Sequence, residues 1–177
     1  SEISPTSLKR AAAIHPVTAI QNEYSLWTRY PDLGMIQTCK ELGTTFVPFS
    51  PLGRGILSDT NLKPHNFSDT DFRKNQPRFL EPNFKRNMGI IHSFRTFCQE
   101  RGWSTAATAI AWTLDQGDHV IPIPGTRSEE NLKDFVTGSQ ITFDNSDREK
   151  INKILPPGWA HGDRYSDAQI IGVERYC

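Results

Sequence analysis

Apolar and polar positions alternate between two periods along this chain. Ser4 before Pro5 has the form of a helix N-cap with proline at the first helical position. Leu8, Ala11, Ala12 and Ile14 follow at helical spacing, and His15-Pro16 ends the run. Val17 to Tyr24 is a short β-branched stretch that predicts a buried strand. Asp32 to Leu42 predicts a helix with Leu33, Ile36 and Cys39 near one face and Gly43 as its C-cap. Thr44 to Phe49 predicts a second strand. Helices are expected over Asn83–Gly102 and Ser104–Gln116, the second rich in alanine for close packing. His119 to Pro124 predicts a third strand, Ser128 to Phe135 a helix, and Asp147 to Leu155 a last amphipathic helix before a tail over 156–177. Strands alternating with helices predict βα units and parallel pairing, in a barrel or a doubly wound sheet. Three strands are too few for either, and an open parallel sheet would carry two unpaired edges. Partner strands are therefore expected outside this chain.

Between the second strand and the helix from Asn83 lies a long polar stretch rich in Asn, Asp and Pro. Loops of that length serve as lids or are disordered, and 55–86 is expected to be a mobile loop. The chain opens Ser1-Glu2-Ile3-Ser4-Pro5, with no initiator Met and no signal-like apolar run, and is expected to begin inside a structural unit. With 177 residues it can bury one core, but a complete eight-unit barrel takes about 250.

Charge narrows the partners. Lys+Arg and Asp+Glu each number 20, so no electrostatic case for nucleic acid or a membrane surface follows. Cys39, Cys98 and Cys177 are few and far apart, which fits a reducing, cytoplasmic setting and neither a disulfide framework nor a zinc site. His15, His65, His92, His119 and His161 lack metal-ligand spacing, so no metal is expected. Dinucleotide-fold, P-loop, hydrolase-elbow and zincin motifs are absent.

Ligands of parallel α/β structures sit at the C-terminal ends of strands. Three such ends can be read. At the first, Gln21 is polar within an apolar strand and either meets a ligand amide or bonds a neighbouring strand. Glu23 either holds an Arg or Lys in a core or faces solvent, while Tyr24 and Trp27 either wall a substrate pocket or pack. At the second, Phe49 can stack on a flat ring or fill the core, and Gly53 and Gly55 allow close backbone approach or simply turn the chain. At the third, Pro124-Gly125-Thr126-Arg127 runs into a helix start, where free N–H groups and a planar guanidinium suit phosphate. The alternative there is a plain turn, with Arg127 solvated or paired with Glu130.

In order, "IQNEYSLW", "VPFSPLGRGIL" and "IPIPGTRSEENLKD" resemble the last three barrel strands and loops of the aldo-keto reductase family. The resemblance runs from Ser1 to the "GDRYSDAQ" tail. It implies an α/β fold, the C-terminal part of a (β/α)8 barrel carrying about strands 6 to 8. It also implies an oxidoreductase that binds NADPH and transfers hydride to aldehydes and ketones. By position, Ser1, Glu2 and Gln21 match residues that hold the nicotinamide carboxamide, and Phe49 the aromatic that stacks on the nicotinamide. Ser50, Leu52, Gly53 and Arg54 match the loop around the pyrophosphate. Gly125, Thr126 and Arg127 match the segment at the adenosine 2′-phosphate, and Asn131 and Asp134 positions on the adenine side. The chain departs at Asp134-Phe135, where the family often has Glu-Asn. The family's catalytic Asp, Tyr, Lys and His come from its first four strands; none is matched here, and Tyr24, Tyr30, Tyr165 and Tyr176 do not match the catalytic tyrosine. The expected partners are a small carbonyl substrate and the N-terminal half of the barrel, with an oligomer compatible. The chain alone is expected to be inactive. The other reading of the resemblance is a non-catalytic binding or regulatory subunit, like a potassium-channel β-subunit.

Overall fold

The computed structural model describes residues 1–174, so Tyr176 and Cys177 lie outside the described residues. Helix α1 (Pro5–Ala12) starts as its sequence dictates. Ser4 caps it by accepting from the Ser7 N–H, and Pro5 occupies the first turn. Strands β1 (Ala19–Glu23) and β2 (Thr45–Phe49) pair in parallel, with Ala19 opposite Thr45 and Glu23 opposite Phe49.

The expected third strand is a correction. Residues 119–124 run beside β2, joined to it only by isolated bridges at Val120 and Ile123. His119 O accepts from Phe46 N (2.8 Å), Ile121 N donates to Phe46 O (2.9 Å) and Ile123 N to Pro48 O (3.0 Å). The rung between them is missing because Pro48 has no N–H to give.

The two sheet faces differ. Ile20, Asn22, Phe46, Pro48 and Val120 are buried towards the helices. Tyr24 continues that side, its ring 5.8 Å from Phe46 and 5.2 Å from Trp112 of α4 (Thr105–Leu114). On the other face Gln21, Ile121 and Ile123 stand exposed, the isoleucines at 55% and 46%. Parallel sheets are ordinarily covered on both faces; this chain covers one.

The remaining helices follow the predicted ones with adjusted ends. The helix expected over Asp32–Leu42 is broken: a tight turn spans Tyr30–Leu33, and α2 (Met35–Leu42) restarts after Gly34, whose φ of 118° no helix accommodates. Helix α3 spans Asn83–Glu100. Helix α5 (Glu129–Gly138) lies so close to α4 that a Cβ on Gly138 would sit 2.7 Å from the Ala107 carbonyl oxygen. Helix α6 (Asn145–Ile154) begins before the expected Asp147, because Asp144 and Asp147 form a reciprocal capping box that puts Asp147 at the third position.

The polar segment 55–86 is built of short 3-10 turns anchored by side chains. Arg73 bonds Asp71 and the Arg54 carbonyl, and Arg95 of α3 bonds the carbonyls of Ser58 and Thr60. Buried Arg78 donates to Trp27 O (2.7 Å), Thr28 Oγ1 (2.9 Å) and Gly162 O (3.1 Å). The tail then crosses the same end of the sheet. Trp159 Nε1 donates to Leu26 O, Asn87 bonds both backbone groups of His161, and Glu174 accepts from Ser4 and Ser7 at the start of α1. No helix among the described residues is long and apolar enough to cross a membrane.

Candidate functional site

Backbone strain marks this end of the sheet. Among the described residues the non-glycine positions with positive φ are Glu2 (56°), Ser50 (52°) and Arg54 (60°). All three belong to the candidate cofactor set. Such conformations cost about 1–3 kcal/mol each and persist only where the surroundings enforce them.

The segment before α1 meets the end of β1. Ser1 Oγ donates to Gln21 O (2.6 Å), and Glu2 N donates to Gln21 O (3.0 Å) and Asn22 Oδ1 (2.8 Å). The Gln21 side chain faces out on the open sheet face. Phe49 is half-buried at the end of β2, level with Glu23. Ser1 is thus tied to Gln21, and Phe49 lies two rungs further along the pair.

After β2 the chain turns sharply. Ser50 O accepts from Gly53 N (2.9 Å), and Leu52 O from Gly55 N (3.0 Å) and Leu57 N (3.1 Å). Gly53 is buried with positive φ, and a Cβ there would meet Trp27 Cβ at 3.0 Å. Its freedom lets the turn pack against Trp27.

Arg54 is another correction. Its guanidinium turns inward to Glu23 Oε2 (2.9 Å) and lies against the Phe72 and Tyr165 rings. It belongs to a buried charge network. Glu23, 1% exposed, also accepts from Arg164 Nη1 (3.0 Å) and Thr28 Oγ1 (3.3 Å). Glu2 accepts from Arg164 through one carboxylate oxygen and from Glu23 N through the other. The Glu2 carboxylate is therefore spent inside the protein and not offered to a cofactor amide. Arg78 stands beside this network, and burial pulls its guanidinium down to about 10 against the opposing pull of Glu23. Burial alone would lower Arg164 too, but its bond to Glu2 and the charge of Glu23 prevail and raise it. Burial, followed by Glu23, raises the Tyr165 phenol.

Tyr24 and Trp27 do not offer the substrate wall expected of them together. Tyr24 is fully buried and donates its hydroxyl to Asp32, and burial pushes its pKa upward. Trp27 is 3% exposed, edge-on to Trp159 and under the Arg78 guanidinium. Its remaining edge lines an open hollow of about 500 Å³ with Arg29, Tyr30, Leu33, Arg78 and the tail.

The third end is open. Gly125, Thr126 and Arg127 are exposed just before α5, and Ser128 caps that helix. Among the described residues Arg127 forms no ion pair, neither with Glu130 nor with another carboxylate, and Glu129 pairs with Lys133 (2.9 Å). Asn131 is exposed one turn on, but Asp134 is half-buried and accepts from Ser104 Oγ (3.0 Å), tying α5 to the cap of α4. Asp134 therefore does structural work where an adenine contact was expected. Sequence reasoning missed Arg78, Arg164 and Tyr165. Arg164 and Tyr165 lie in the "GDRY" tail, and the one advance signal was Glu23 as a possible holder of a buried cation, 141 residues from Arg164.

The comparisons with known proteins fit this geometry. The aldo/keto reductase family model matches residues 1–156. "Probable aldo-keto reductase 1" of Glycine max is 37% identical over 165 residues, covering 93% of this chain and 47% of that protein. Among solved structures, a glycerol dehydrogenase from Gluconobacter oxydans superposes with a TM-score of 0.78 at 24% identity, covering 86% of this chain and 46% of that one. A thermostable aldo-keto reductase in complex with the inhibitor epalrestat superposes with a TM-score of 0.63 at 18% identity, again over 86% and 46%. The chain belongs to the aldo/keto reductase family. It spans about half the length of the relatives it matches, and its two-stranded parallel sheet with one bare face is consistent with part of an α/β barrel.

Proposed function

We propose that this chain is the cofactor-binding half of an NADPH-dependent oxidoreductase that reduces aldehydes or ketones, and that β1, β2 and the segment 119–124 beside them correspond to the last three strands of the barrel. The observation that carries the reading is the rim itself. Ser1 is tied to Gln21 of β1, Phe49 stands two rungs on at the end of β2, and the exposed Arg127 lies just before α5. These residues fit the cofactor by chemistry. The Ser1 hydroxyl and Gln21 amide suit a carboxamide, Phe49 offers an aromatic edge or face, and the α5 N-terminus with Arg127 suits a phosphate. The inward-turned Arg54 and Glu2 side chains do not take part; their strained backbones shape the rim instead. Bound NADPH supplies the hydride. The proton donor that carbonyl reduction requires is assigned to the part of the barrel outside this chain, together with the substrate pocket. The missing strands would pair with the open edges of the sheet, and the bare face carrying Ile121 and Ile123 would then line the barrel interior.

Fluorescence titration of the full-length protein tests the reading. NADPH should bind more tightly than NADH. Arg127→Ala should weaken NADPH by about tenfold or more through loss of a charge-assisted phosphate contact, with little effect on NADH. Equal losses for the two cofactors would refute the assignment of Arg127.

A further inference from the structure

Arg164 lies beyond residue 156, where the family match ends, yet it sits at the centre of the candidate site. Its guanidinium bridges two carboxylates from distant parts of the chain: one nitrogen donates to Glu23 Oε2 (3.0 Å), the other to Glu2 Oε2. Tyr165 and Tyr30 flank its plane at 4.8 and 5.6 Å. The side chain is 8% exposed, which leaves it little room to choose other partners.

Glu2 holds a left-handed backbone that an L-residue adopts at a cost, so something must hold it there. Its N–H is held by Gln21 O and Asn22 Oδ1, and one carboxylate oxygen by Glu23 N. Among the described residues the other oxygen has only Arg164. Without that cation, Glu2 Oε2 would lose its ion-pair partner, while Arg54 would still hold Glu23. Loss of that hold on the Glu2 side chain would loosen Ser1, the next residue, whose hydroxyl is aligned on Gln21 O, while the Glu2 backbone keeps its bonds to Gln21, Asn22 and Glu174.

Building on the cofactor reading above, we infer that Arg164 is a positioning residue: from the C-terminal tail it locks Glu2, and through it Ser1 and Gln21, into the geometry that receives the nicotinamide carboxamide. Arg164 touches neither the cofactor nor the reacting atoms. Its influence is confined to one end of the cofactor, since Arg127 and the α5 start make no bond to this network.

That confinement supplies the test. Full-length protein and its Arg164→Met variant are titrated with NADPH and with adenosine 2′,5′-bisphosphate, which lacks the nicotinamide. Arg164→Met should weaken NADPH by about tenfold and change adenosine 2′,5′-bisphosphate by less than about twofold. Arg164→Lys, which keeps a charge but reaches only one carboxylate, should fall between. If both ligands weaken alike, Arg164 serves the fold generally and the inference is overturned; if neither weakens, it is overturned too. Should the methionine variant fail to fold, the lysine variant decides, and an unchanged ratio of the two affinities overturns the inference. Unaltered protein that binds the bisphosphate but gains nothing from the nicotinamide would overturn the inference while sparing the Arg127 site. Unaltered protein that binds neither would overturn the cofactor reading itself, and the inference with it.

Discussion

Replacing Glu23 by glutamine removes one charge and almost no volume, which isolates the electrostatics of the buried network. In the native protein Glu2 and Glu23 face Arg54, Arg78 and Arg164, so the cluster already carries one excess positive charge. Glu23→Gln leaves three guanidinium groups against the Glu2 carboxylate alone. Two short bonds to Glu23 Oε2, from Arg54 (2.9 Å) and Arg164 (3.0 Å), are at stake. Charge-assisted bonds contribute about 1.5–3 kcal/mol each, and stripping one partner from a buried ion pair costs about 3–5 kcal/mol. The amide oxygen can take the place of Oε2 and accept both bonds with its NH2 towards Thr28 Oγ1, but both guanidinium groups then face a neutral acceptor. A loss of about 3 kcal/mol is therefore expected. Urea unfolding of the full-length protein at neutral pH, followed by circular dichroism, reads it as a lower midpoint with an unchanged slope. Added salt should restore little, because buried charges are poorly screened. A loss below about 1 kcal/mol would show that water reaches the cluster and would refute the argument from buried excess charge.

Two other perturbations test the packing and the long polar segment. Gly138→Ala gains about 1 kcal/mol of helix propensity, but its Cβ would press on the Ala107 carbonyl at 2.7 Å and Ile110 Cβ at 3.0 Å. Overpacking of about 1–3 kcal/mol should prevail, so the thermal midpoint should drop, and a rise would refute the close approach of α5 to α4. The Asp71 carboxyl is held below its usual range chiefly by its bond to Arg73. A depressed folded pKa means that its stabilisation is complete above the ordinary carboxylate range and fades as pH falls through the folded value. Hydrogen exchange at residues 71–76, corrected for its intrinsic pH dependence, should therefore rise between about pH 5 and about pH 3. Protection that stays flat across that window would remove Asp71 as an anchor of the segment.

Much of the helical frame was legible from local sequence because its causes are local. Ser4-Pro5, Ser104 and Ser128 cap the helices they were expected to start, since a cap depends on residues a few positions away. The misses have identifiable reasons. Gly34 broke a helix whose apolar spacing was sound, and Pro48 withheld one donor and reduced a strand to isolated bridges. The capping box of α6 shifted its start because Asp147 serves as an internal partner of the cap.

By itself the sequence determined the family and the βα order, and it proposed three strand ends for a ligand. These are carried by motifs of a few contiguous residues and by the period of the apolar positions. Only the tertiary structure decided which of the candidate side chains are free to meet a ligand. Gln21, Phe49 and Arg127 remain available, whereas Glu2, Arg54, Asp134 and Tyr24 are committed to partners inside the protein. For Glu2 and Arg54 the reason is electrostatic. A charged side chain taken out of water must find an opposite charge, and for Glu2 that charge is supplied by Arg164, 162 residues away along the chain. A partner at that separation leaves no trace in local pattern, and only the return of the tail across the end of the sheet brings the two together.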